Sequence, residues 1–102
     1  MRTTITARHC EISEELRGRA EAVLQRLSAL VPRPVDGTVV FDVAPQLATA
    51  EIRIHSSGGE LFVAAGEDKD HRTALDRAED KVRRQLEKSA GSRRGRGARD
   101  AV

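Results

Sequence analysis

Arg77, Lys81, Arg84 and Lys88 stand at i, i+4, i+7 and i+11 in a segment whose apolar residues recur with a helical period. Projected at 100° per residue, the four cations fall within a strip about 60° wide. At 1.5 Å of rise per residue the strip is about 16 Å long, the length of a short run of contacts to a phosphate backbone. Ala74, Leu75, Ala78, Val82 and Leu86 form the apolar stripe of the same segment. Asp76, Asp80 and Glu87 fall on the remaining side with Arg83. The competing reading is a solvated helix held by local ion pairs, Arg84 or Arg77 with Asp80, each contributing a few tenths of a kcal/mol. Earlier in the chain, Arg19 and Arg26 share one flank of a second apolar stripe, and Arg17 lies on the other flank, four residues before Glu21. If the two helices pack side by side, Arg19 and Arg26 are expected to join the row on the last helix in one basic surface that reads backbone and not bases.

Other candidates for chemistry carry less. His9 and Cys10 are adjacent at a strand end, where neighbouring side chains point to opposite faces. His55 falls on the outward register of its strand, and His71 opens the last helix; all three His read as surface residues. No spacing matches a zinc site. "SSGGE" (56–60) leads into a strand, whereas a phosphate cradle leads into a helix. No acid, base and nucleophile converge, so the chain is expected to be neither an enzyme nor dependent on a cofactor or metal.

The elements that must position these residues follow from periodicity. "RTTITAR" (2–8) reads as a strand. Ser13 reads as the cap of a helix of about 18 residues, with Leu16, Ala20, Val23, Leu24, Leu27, Leu30 and Val31 as its inward stripe and Pro32 and Pro34 as its stop. "TVVFDVA" (38–44) and "ATAEIRIHS" (48–56) alternate as half-buried strands, Val39, Phe41, Val43 and Ala48, Ala50, Ile52, Ile54 facing inward. Turns at Pro45–Gln46 and Ser56–Gly59 separate them from each other and from "ELFVAAG". Asp70 caps the last helix, and Gly91 lies where its stop is expected. The expected fold is α+β, β-α-β-β-β-α, with a parallel first pair of strands and two helices on one face of a four-stranded mixed sheet.

With 102 residues the chain has room for one core. Residues 1–88 carry 14 bases against 15 acids, while Ser89–Val102 carries four Arg (Arg93, Arg94, Arg96, Arg99) against Asp100 alone. Attraction to a polyanion must therefore come from sorted charge on the body or from the tail. Residues 91–102 read as a disordered Gly/Arg-rich tail. A lone Cys and the absence of a secretory or membrane-length apolar run point to the cytoplasm.

Three stretches carry a family resemblance over about residues 1–90. "ITARHCEISEELR" resembles the opening strand and "EIT-x-x-LR" helix start of the short ribosome hibernation promoting factors, also called ribosome-associated inhibitor A or sigma-54 modulation proteins. "GELFVAAGEDKDHRTALD" is similar to that family's last strand and helix start. "DRAEDKVRRQLEKS" resembles its D-x-x-x-DKL-x-RQL-x-K pattern, with Asp76, Asp80, Lys81, Arg84, Gln85, Leu86 and Lys88 in register. The chain differs from the family pattern at Val23, where a Lys is frequent, at Ala29–Val31, which replace an aromatic pair, and at Arg72, which replaces a Tyr.

The resemblance implies the same β-α-β-β-β-α fold. It implies a monomer that binds ribosomal RNA of the small subunit in the mRNA/tRNA cleft and inhibits translation in stationary phase or stress. Lys81, Arg84 and Lys88 match bases of the family's second helix, and Arg17 and Arg26 match bases of its first; Arg77 and Arg19 rest on projection alone. Arg93 and Arg94 of the tail would add nonspecific attraction to RNA. The chain ends before the extra domain of long members, so ribosome pairing would fall to a separate dimerising factor. Two other readings stay open here: a free double-stranded RNA-binding module, whose α-β-β-β-α order is similar, and a transcription-linked protein-interaction domain.

Overall fold

In the computed structural model, which describes residues 1–89 with their side chains, the element order is β1 (Arg2–Ala7), α1 (Glu14–Ser28), β2 (Pro34–Ala44), β3 (Leu47–Ser56), β4 (Leu61–Asp68) and α2 (His71–Asp100). The strands lie in the order β1-β2-β3-β4, β1 parallel to β2 and the other pairs antiparallel. The expected α+β architecture is thus the one observed. The expectation of a disordered tail at 91–102, with a helix stop at Gly91, lies outside the described residues.

Local chemistry explains the boundaries. Ser13 has extended backbone, and its Oγ accepts the Leu16 amide at 3.0 Å, which satisfies one of the free donors of the first turn of α1. Glu14 and Glu15 stand in that turn, where the helix dipole favours acids. Asp70 does the same for α2, accepting from the Thr73 amide at 2.8 Å and from its hydroxyl at 3.0 Å. The β2–β3 turn uses Pro45 and then Gln46 at φ 66°, and Gly59 at φ 89° serves the β3–β4 turn. Positive φ is free for Gly and costs a residue with a Cβ about 1 kcal/mol or more.

Alternation in the strands builds one core. Val39 and Phe41, Ala50, Ile52 and Ile54, and Phe62 and Ala64 are buried beneath Ala20, Val23, Leu24 and Leu27 of α1, Val31 beyond it, and Ala74, Leu75, Ala78, Val82 and Leu86 of α2. Two residues of the expected stripes depart from this. Leu30 is 47% exposed, because α1 spans 15 residues, ends at Ser28 and turns out of the helical projection. Val43 is 46% exposed, because α2 begins at His71, which packs edge-on against Phe41, and the helix layer does not extend over the end of β2.

Among the described glycines, Gly66 has the tightest surroundings. A Cβ placed there would run into the Ala74 carbonyl oxygen and lie 2.7 Å from the Ala78 amide nitrogen, so α2 rests with its backbone directly on β4. Gly66→Val is expected to lower stability by about 3 kcal/mol, the upper end for overpacking because the obstacle is backbone, as measured by urea unfolding.

Bonds from Thr73 hold the Asp70 carboxyl below the usual carboxylate range. A depressed carboxylate contributes stability that is present above its unfolded value and lost as pH falls through the folded one. Asp70→Ala should therefore lower the melting temperature at neutral pH, and the difference from the parent chain should shrink on acidification below about pH 4.

Candidate nucleic-acid interface

Seating on Gly66 fixes the rotation of α2 about its own axis. Arg77, Lys81, Arg84 and Lys88 then lie along the β4 side of the helix, and each is exposed or partly so. With Ala65 and Glu67 of β4, Arg77, Asp80, Lys81 and Arg84 line a hollow of about 390 Å³. Arg77 pairs with Asp68 at 3.3 Å rather than with Asp80. Arg84 pairs with Asp80 at 3.4 Å, but with the Arg 76% and the Asp 66% exposed this contact is weak and readily exchanged for a phosphate. Lys88 is exposed and has no ion-pair partner among the described residues.

Lys81 is the exception within the row. Its Nζ donates to the Ala65 carbonyl at 2.8 Å, and Gln85, one turn on, donates through Nε2 to the Val63 carbonyl at 2.6 Å. These carbonyls recur at every second residue along the outer edge of β4, where no further strand donates to them. An i, i+4 pair on the helix matches an i, i+2 pair on the strand, and an edge that could template pairing with another chain is capped. Sequence projection places Lys81 among the phosphate contacts and has no means of revealing this second engagement. Gln85 was legible only as part of a motif.

Arg19 and Arg26 lie elsewhere. The helices run side by side in the same direction, with their N-terminal ends bordering one hollow at Ser13 and Asp70. Between Arg19 and the row on α2 stands Asp76, held by Arg19 through bonds of 2.9 and 3.1 Å to its two oxygens. Arg26 makes a matching pair with Glu79 at 3.1 Å to each oxygen. Only 13% of the Glu79 side chain is exposed, and Arg83 also reaches it at 3.3 Å. The hydrogen bonds that Arg26 donates to Glu79, and then the charge of that carboxylate, raise the Arg26 pKa above its ordinary value. The single basic surface expected from Arg19, Arg26 and the α2 row is therefore not formed: a seam of carboxylates divides them, and Arg19 and Arg26 act first as ties between helices. The residue missed from sequence is Glu79. Its signal was present as an acid at i+3 from Asp76, facing two Arg of α1, but becomes readable only once the helices are paired.

Arg17 lies on the opposite flank of α1, where it donates to the Ile5 carbonyl at 3.4 Å. Arg93 and Arg94 lie outside the described residues. His9 and His55 sit on surface carboxylates, at 3.1 Å from Asp42 and 3.0 Å from Asp36. His71 differs from the surface reading: it is half-buried, and its Nε2 donates to the Asp42 carbonyl at 2.8 Å. Among the described residues no group of three His, Cys, Asp or Glu is placed to hold a metal, and no helix is long and apolar enough to cross a membrane.

A family model described as "Sigma 54 modulation protein / S30EA ribosomal protein" matches residues 3–94. The N-terminal domain of Thermus thermophilus Protein Y superposes with a TM-score of 0.73 at 31% identity, covering 86% of this chain and 98% of that one. A ribosomal subunit interface protein from Coxiella burnetii superposes with a TM-score of 0.77 at 21% identity, covering 89% and 99% of the two chains, which shows a common fold. No curated protein sequence matches.

If Lys81 and Gln85 guard the β4 edge, replacing both with Ala should raise the weight-average mass in sedimentation velocity relative to the parent chain at equal concentration. An unchanged mass would show that the edge needs no guard.

Proposed function

Because this chain belongs to the sigma 54 modulation protein / S30EA ribosomal protein family, we propose that it is a ribosome hibernation factor. It binds ribosomal RNA of the small subunit in the mRNA/tRNA cleft and inhibits translation by occupying that space. The observation that carries this reading is the exposed row of cations on α2, set outside the β4 edge and separated from the seam of acids.

The mechanism asks for no bond making or breaking. Arg84 and Lys88 meet phosphates directly, Arg77 after exchanging Asp68, and Lys81 either keeps its edge bond or shares its remaining two protons with a phosphate. Arg17 supplies supporting charge, as do Arg19 and Arg26 while they bridge α1 to α2. Arg93 and Arg94 extend the attraction along nearby RNA. A rigid row of this kind positions the protein without reading bases, and the shape of the cleft supplies selectivity. The protein acts in the cytoplasm as a monomer.

Four phosphate contacts should give log K a slope against log salt of roughly −3 to −4. Arg84→Glu with Lys88→Glu, which spares both the edge cap and the helix ties, should abolish cosedimentation with small subunits at moderate salt while circular dichroism stays unchanged. Cosedimentation equal to that of the parent chain would overturn this use of the row. Equal binding to a free RNA duplex of matched length would favour a general duplex-binding module.

A further inference from the structure

Among the described residues no element covers the sheet face opposite the helices, and the face carries more acids than Arg or Lys. With residues 1–88 holding 14 bases against 15 acids, a row of four bases on one edge leaves an excess of acid for the rest of the surface. Much of it lies on this face. Alternation that turns Val39 and Phe41 into the core turns Asp36, Thr38, Val40 and Asp42 outward, and register places Glu51 beside Val40 and Glu67 beside Thr49.

An open hollow of about 650 Å³ crosses these strands, with Thr38, Val40 and Ala65 as an uncharged floor and Asp36, Asp42, Glu51 and Glu67 around it. Two cations, Arg8 and Arg53, border the same hollow, and the Arg53 guanidinium is engaged by Glu51 at 2.9 Å. Asp36 and Asp42 lie 3.0 and 3.1 Å from the Nδ1 atoms of His55 and His9. Glu67, at the β4 edge, borders both this hollow and the one beside Arg77 and Lys81, and has no ion-pair partner among the described residues. Asp36 and Asp42 stand at the two ends of a neutral lane on β2, about 20 Å apart at 3.3 Å per residue, the span of about six residues of extended peptide.

We propose that this face docks an Arg/Lys-rich peptide segment of another protein, laid along the Thr38–Val40 lane with its cations on Asp36, Asp42 and Glu67. Excess negative charge disfavours nucleic acid here, and a floor of Thr, Val and Ala offers width for an extended chain without a deep apolar pocket for a small molecule. The partner deepens the ribosomal reading and takes its setting from it. Proteins that neutralise RNA phosphates are rich in Lys and Arg, and a chain that turns its basic edge to RNA turns this acidic face to such segments. The molecule is then two-sided, with RNA phosphate on the α2 edge and basic protein on the sheet.

The test uses the full chain and no RNA or ribosome, so its failure is separable from failure of the ribosomal reading. A fluorescein-labelled twelve-residue peptide of alternating Arg and Thr is titrated with the protein, followed by anisotropy and by amide shifts. Saturable binding that weakens with salt and shifts the Thr38 and Val40 amides is expected. Asp36→Asn with Glu67→Gln, which keeps shape and hydrogen bonding, should weaken it about tenfold, from up to about fivefold per exposed charge pair. Glu87→Gln on α2 should leave it unchanged. Binding untouched by the sheet-face pair, equal loss in Glu87→Gln, equal binding of a peptide with Glu in place of Arg, or self-association of the chain in place of peptide binding would each overturn the proposal.

Discussion

The placing of every face of α2 depends on one contact, the seating of its Ala74–Ala78 turn on Gly66 of β4. With no side chain between them, helix and strand approach to backbone distance, and the helix has little freedom to roll. That single rotational setting puts Lys81 and Gln85 over the carbonyls of the β4 edge, turns Arg84 and Lys88 to solvent and aims Asp76 and Glu79 at α1. A roll of one residue, about 100°, would exchange these faces and bring acids to the edge.

The second constraint is electrostatic. Connectivity makes α1 and α2 run in the same direction, so their dipoles stand side by side with both positive ends together. Glu14 and Glu15 in one first turn and the Asp70 cap of the other place negative charge there, and the paired Arg–carboxylate ties along the helices add contacts between them. The Arg26–Glu79 pair is the stronger tie, since its carboxylate is largely withdrawn from water and accepts from two guanidinium groups. The Arg19–Asp76 pair, with both partners exposed by more than a third, contributes on the scale of an ordinary surface pair, up to about 1 kcal/mol. These ties use cations that would otherwise widen the basic edge.

The order of elements, both caps, both hairpin turns and the inward stripes of β3 and α2 were legible, because each rests on local rules: a two-residue or 3.6-residue period, an acceptor ahead of a free amide, Pro or Gly where the chain reverses. Leu30 and Val43 show where those rules stop. Leu30 lies past the last helical residue, where projection has no meaning, and Val43 has the right parity but nothing above it. The row Arg77, Lys81, Arg84 and Lys88 was legible as a row, since helical geometry alone makes it one.

By itself, the sequence determined the fold class, the face of each element that enters the core and the grouping of four cations on one side of α2, all consequences of periodicity within single elements. Only the tertiary structure decided which neighbours those faces meet. Helix pairing set Asp76 and Glu79 between Arg19, Arg26 and the α2 row, and the closeness of β4 engaged Lys81 with a backbone carbonyl. Coulomb and hydrogen-bond energies depend on distances between elements, and residues 57 or 16 positions apart in the chain carry no such distance until the sheet is formed.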